Sequence, residues 1–182
     1  MRLDGHLGRL RGAQVNKDKK IASQFAAAVW AKNIVPTITE RDRLMTGIAL
    51  YWAEGSKSPR TTGFVFVNSD PIMIKFMHDW LIGIVLIPKE SIVAQVSINE
   101  IHRYRIETVL NFWSHLLDLP RNKFSNTSFI KSRQKKIHEN HEIYYGVLRL
   151  SVSRSTFLKY KVLQMIEILK ANVAQVVRAG VS

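Results

Sequence analysis

Apolar residues recur at helical intervals in some stretches of this chain and in strand-length runs in others, and the two patterns alternate. Residues 42–54 put Leu44, Ile48 and Tyr51 on one side of a helix and Met45, Ala49, Trp52 and Ala53 on the next, with Thr39 as a cap and Gly55 as a left-handed stop. Residues 63–68, GFVFVN, form a Phe- and Val-rich strand. Asp70 followed by Pro71 predicts a helix start, because the first helical position needs no amide proton. That helix runs to about residue 81, with Ile72, Phe76 and Trp80 or Met73, Met77 and Trp80 facing the core.

Residues 92–98 alternate strictly, so Val93, Gln95 and Ser97 share a face that is wet or covered by something polar. A helix over 103–117 follows, with Ile106, Leu110, Trp113 and Leu117 at helical intervals, and Pro120 closes it. Strands are expected at 127–131 and 144–152. Ser153 or Ser155 then caps a long final helix whose buried stripe is Phe157, Val162, Met165, Ile166 and Leu169. The order helix, strand, helix, strand, helix, strand, strand, helix predicts an α+β fold in which helices back a mixed, mainly antiparallel sheet.

Upstream, residues 1–20 are rich in Gly, Arg and Lys and show little periodicity, which suggests a mobile basic arm leading into a short helix at 21–32 ended near Pro36. The expected organisation is a basic extension over 1–40, a main domain over 41–172 and a tail over 173–182. With 182 residues, 46% of them hydrophobic, the chain can bury one sizeable core. The longest apolar run, WLIGIVLIP at 80–88, is far short of the roughly 20 residues that span hydrocarbon, and no apolar signal segment is visible at the start. A cytoplasmic or nucleoid-associated protein with no membrane partner is expected. The absence of cysteine removes disulfides and thiolate zinc sites, and no Walker, Rossmann or GxSxG signature points to a nucleotide cofactor or a serine hydrolase.

Charge narrows the partner. Twenty-seven Lys and Arg against 14 Asp and Glu leave +13, a field attractive to polyanions, and nucleic acid remains once a membrane is set aside. Residues 121–142 hold Arg121, Lys123, Lys131, Arg133, Lys135 and Lys136 against Glu139 and Glu142. Base readout is expected from Thr62, Gln95, Ser97, Asn126 and Arg149 if these lie on an exposed strand face. Lys57 and Arg60, in the loop GSKSPR, are suited to phosphate contact, although they also fit a solvated loop.

Residues 47–55, GIALYWAEG, carry the candidate chemistry. Ala49 and Ala53 lie on one helical face that another helix could approach closely, and Glu54 stands at the helix end beside Gly55. Two such helices meeting along their alanines would bring two carboxylates together, a donor set suited to Mg²⁺. Ordinary packing of the alanines within one subunit and a Glu54–Lys57 salt bridge are the competing readings, and Tyr51 and Trp52 read as core or interface aromatics.

The string GIALYWAEGSK, followed by FVFVNSDPIMIKFMHDWL, FWSHLLDLP and YYGVLRLSVSRS, resembles a single-motif bacterial branch of the LAGLIDADG homing-endonuclease superfamily over residues 44–169. The resemblance implies a LAGLIDADG-like saddle of strands in the DNA major groove and a homodimer joined at Ala49 and Ala53. It also implies Glu54 as the metal-binding acid for Mg²⁺ or Mn²⁺, with Lys57 or Lys131 as the catalytic basic residue. Trp52 stands where the family has an earlier acid, and the helix at 71–81 departs from the simplest family topology. Hydrolysis of double-stranded DNA is the implied activity; a noncatalytic, sequence-specific DNA-binding or regulatory protein on the same fold is the alternative.

Overall fold

The computed structural model describes residues 3–35, 37–131 and 141–179. Pro36, Arg133, Lys135 and Lys136 therefore lie outside the described residues. The chain divides into two units, Met1–Thr39 and Glu40–Ser182. The first contains one helix, α1 (Leu3–Ile34), longer at its start than the helix expected over 21–32. Its first half lacks an apolar period, but local pairs support it: Gln14 Nε2 donates to Asp18 Oδ1 at 2.8 Å, one turn on.

The second unit runs α2 (Glu40–Glu54), β1 (Val65–Asn68), α3 (Pro71–Gly83), β2 (Ile92–Asn99), α4 (Ile106–Leu117), β3 (Ser128–Ile130), β4 (Val147–Val152) and α5 (Thr156–Ala179). It is an α+β fold whose four-stranded mixed sheet has the order β1-β4-β2-β3. β4 pairs antiparallel with both β1 and β2, whereas β2 and β3 run parallel. Residues 103–105, expected to begin the fourth helix, belong instead to a separate 3-10 segment, Glu100–Arg105, before it. At the other end α5 continues through most of the expected tail, to Ala179.

Asp70 caps α3 as its sequence suggests, accepting from the Ile72 and Met73 amides at 2.7 and 3.4 Å. Ser155 does something else. Its hydroxyl accepts from the Phe64 amide at 2.8 Å and donates to the Val152 carbonyl at 2.6 Å, stapling the entry of β1 to the end of β4. Two apolar residues expected inside are outside: Ile72 is 80% exposed and Phe157 71% exposed. Both sit in the first turn of their helices, ahead of the residues that reach the sheet.

The core joins Ile48 and Tyr51 of α2, Ile74, Met77, Trp80 and Leu81 of α3, and Trp113 of α4 to one face of the sheet, where Phe66, Ala94, Val96, Leu148 and Leu150 point inward. On the opposite face Val67 and Arg149 are exposed and Val93, Gln95, Ser97, Val147 and Ser151 half-buried. Val65, whose carbonyl accepts from the Ser56 amide, is the buried exception. Strand pairing lines this face up in rows: Val67, Arg149 and Gln95 form one, and Val147, Ser97 and Ser128 another.

His78 is a buried polar group within this core, 3% exposed. Its Nδ1 lies 3.1 Å from Asp79 Oδ1, and Nε2 has no partner among the described residues. Burial holds its pKa below the ordinary histidine value; Asp79 opposes that shift, while Lys75 and Lys89 add to it. The folded protein thus keeps His78 neutral at pH values where the unfolded chain takes up a proton. The stability this contributes is present above about pH 6.5 and is lost as pH falls through the depressed folded value, with a slope of up to about 1.4 kcal/mol per pH unit. Urea unfolding at pH 7 and pH 5.5 should show the parent losing more stability on acidification than His78→Leu; equal losses would remove His78 from the acid response.

Candidate functional site

The end of α2 is built by close approaches that leave one side of the helix bare. Gly47 lies under the Trp80 indole of α3, where a Cβ would come within 2.1 Å of Nε1. Ile48 and Tyr51 continue that inner face, and the Tyr51 ring stacks on Phe64 at 4.5 Å with a 24° interplanar angle. Burial raises the Tyr51 pKa, and its hydroxyl donates to the Ser56 carbonyl at 3.0 Å.

Gly55 is not the left-handed stop its position suggests: it lacks a positive φ and instead forms an antiparallel bridge with Phe66 of β1. A Cβ there would meet the Tyr51 ring at 2.5 Å. The Ser56 amide donates to the Val65 carbonyl at 2.9 Å, so the chain leaves the helix directly into contact with the edge strand. Glu54 is thereby fixed one residue from backbone that pairs with β1, the strand at one edge of the sheet.

Ala49, Ala53 and Glu54 are exposed, as is Trp52 at 37%, whose ring has Lys170 Nζ of α5 5.8 Å from its centroid, so this side of α2 is only partly covered within the subunit. Among the described residues Glu54 has no ion pair or hydrogen bond; the salt bridge to Lys57 is not formed. Lys57 Nζ instead donates to the Trp52 and Gly55 carbonyls at 2.7 and 3.0 Å. That places a cation on the negative end of the helix dipole, immediately after the acid.

The loop that follows is tied at several points. Ser56 Oγ donates to Thr61 Oγ1 at 2.9 Å, and the Arg60 amide donates to Ser58 Oγ at 3.3 Å. Lys159 of α5 reaches in to the Ser58 and Thr61 carbonyls, both at 2.6 Å. Lys159 was not among the residues expected to matter. Its signal was a lysine on the same helical stripe as Val162 and Ile166, an apolar stripe on which a lone charge is out of place.

The other candidates separate. Gln95 and Arg149 are neighbours on the open sheet face, where Gln95 Nε2 also donates to the Asn126 carbonyl at 3.0 Å. Ser97 lies on the same face. Thr62 and Asn126 are in loops rather than on strands, because β1 begins at Val65 and β3 at Ser128. Arg60 is exposed in the loop beside Lys57. Lys123 Nζ is engaged with the Glu90 carbonyl at 2.5 Å.

Lys131 follows β3, at the sheet edge opposite β1. Three strand spacings, roughly 14 Å, separate those edges, so a single chain does not bring Lys131 to Glu54. Among the described residues no three His, Cys, Asp or Glu side chains gather as a potential metal site. No helix among them is long and apolar enough to cross a membrane. No protein-family model, curated protein or solved structure matches the chain.

Proposed function

We propose that this protein is a homodimeric DNA endonuclease of LAGLIDADG type, which receives double-stranded DNA on the open face of its sheet and hydrolyses phosphodiester bonds beside Glu54. The observation that carries the reading is the Gly55–Phe66 bridge, which joins the exposed alanine side of α2 to edge strand β1. Glu54 thus stands beside edge strand β1, with Ala49 and Ala53 exposed on the same helix. A second copy meeting the first along the alanine methyls would approach closely, align two open sheet faces and bring two Glu54 carboxylates to the junction.

Glu54 fits a divalent metal as half of a shared site. Its carboxylate is exposed, supplies hard oxygen donors and has no ion pair among the described residues, and no second acid stands in its motif at 47–55. Mg²⁺ or Mn²⁺ bound there supplies Lewis acidity and lowers the pKa of bound water. The chain's own groups do the rest. Lys57, fixed on the helix-end carbonyls, offsets charge near the reacting phosphate; Arg60 contacts the backbone; and Arg149 and Gln95 meet base edges from the sheet.

The second reading, a noncatalytic DNA-binding dimer, is favoured by the single carboxylate in the motif at 47–55. A randomised duplex pool incubated with Mg²⁺ and either the parent or Glu54→Gln separates the two. Cleavage by the parent alone supports the endonuclease; salt-sensitive binding without cleavage by either supports the regulator; and no binding at low salt removes both.

A further inference from the structure

We infer that the cleft between the 57–62 loop and the first turns of α5 is a binding site for a phosphate group. The cleft, of about 240 Å³, is lined by Lys57, Thr61, Thr62, Thr156, Lys159 and Tyr160 together with the apolar Pro59 and Leu163, and no carboxylate is among these residues. Lysine, threonine and tyrosine residues able to donate hydrogen bonds thus border one space. Such donors suit a tetrahedral oxyanion, which accepts several charge-assisted hydrogen bonds at once.

Lys159 carries the argument. The residue is 3% exposed, yet its ammonium forms no ion pair with any described acid. The Ser58 and Thr61 carbonyls take two of its three protons, which leaves the third without an acceptor among the described residues. A buried cation compensated only by dipoles is costly unless a counter-charge completes its surroundings. An anion in the cleft meets that need.

Two further features act in the same direction. Thr156 opens the 24-residue helix α5, whose first turn adds positive dipole potential to the wall. Lys57, whose Nζ is held on the Trp52 and Gly55 carbonyls, also lines the cleft and adds positive charge on the loop side. The phosphate is either free or part of a nucleic-acid backbone; both present the same oxygens to the same donors. The inference goes beyond the endonuclease reading and stands on the cleft's own chemistry, so it survives if the protein cleaves nothing.

The test uses the full chain in a non-phosphate buffer without metal. Inorganic phosphate is titrated calorimetrically, and melting is followed against chloride at matched ionic strength. Phosphate at about ten times its Kd should raise the Tm by roughly 3–6 °C, with one site per chain. Lys159→Met should weaken phosphate binding at least about tenfold. Because that change also releases the loop, Thr156→Val and Thr62→Val test the wall without entering the core, and each should weaken binding.

No phosphate-specific heat or Tm shift in the parent up to roughly 20 mM, well above the 1 mM that already marks weak binding, overturns the inference. So does undiminished binding in folded Lys159→Met or in both threonine variants. A saturating duplex added before phosphate distinguishes the sources. Loss of the phosphate heat assigns the site to a backbone phosphate, and its persistence assigns it to a free one; either outcome, with the variant losses, supports the site.

Discussion

Gly47→Ala is expected to lower the melting temperature by about 4–8 °C, although alanine is the better helix former. The added methyl would lie 2.1 Å from Trp80 Nε1 and 2.3 Å from Cδ1 and Cε2, distances at which something must move. The neighbour is a rigid indole, 2% exposed and wedged between α2 and α3, so the helices themselves must separate. Overpacking of this kind costs up to about 3 kcal/mol, and the helix-propensity gain returns about 1. The remaining ~2 kcal/mol corresponds to the stated shift for a chain of this size. Differential scanning calorimetry of parent and variant checks it. An unchanged Tm would mean that α2 and α3 do not pack through Gly47, and the placement of Glu54 at the sheet edge would lose its support.

Glu54→Gln should reduce Mg²⁺-dependent cleavage by more than about 100-fold while leaving duplex affinity equal or higher. The bound on cleavage follows from metal sites generally, where even groups that only hydrogen-bond to a ligand are worth roughly 10–100-fold. Affinity moves the other way because an exposed carboxylate beside DNA repels phosphate, and glutamine keeps its shape without its charge. Single-turnover cleavage and a binding titration at one fixed salt concentration read the two effects separately. Equal cleavage by parent and variant would take Glu54 out of the chemistry. Lost binding would show instead that Glu54 maintains the loop holding Lys57 and Arg60.

Much of the main unit was legible along the chain because its signals are local. Asp70 and Pro71 announce α3, the alternation over 92–98 identifies the buried face of β2, and the apolar period over 106–117 marks α4. Pairing was less legible. Alternation tells which way a side chain points but not which strand lies alongside, so the parallel partnership of Ser128–Ile130 with β2 is written only in the packing. The first part of α1 was missed because Gly8 and Gly12 and a mixed charge pattern leave no amphipathic signature, even though the helix forms.

The candidate site divides the same way. A nine-residue string was enough to single out Ala49, Ala53, Glu54 and Gly55, but not to show that Gly55 bridges to Phe66 or that Lys57 turns back onto the helix carbonyls. The bridge depends on β1 arriving from ten residues downstream. Thr62 was expected to read bases if it lay on a strand face, and Lys131 to serve the metal site on the strength of the resemblance. Thr62 lies in the loop before β1 and Lys131 just after β3, at the far sheet edge. Lys159 escaped because its partners are carbonyls of a loop roughly a hundred positions away, contacts that no side-chain pattern encodes.

The proposed cleavage depends on a proposed dimer, and the absence of cysteine from the chain makes that dimer directly testable. Ala49→Cys and Ala53→Cys introduce single thiols on the exposed side of α2, with Asn111→Cys on the exposed side of α4 as a control. A disulfide requires Cα atoms about 4.4–6.8 Å apart, the distance at which two helices touching through alanine faces stand. Mild oxidation followed by non-reducing electrophoresis should convert at least one α2 variant, but not the control, to a covalent dimer. Both α2 variants remaining single chains would contradict the account.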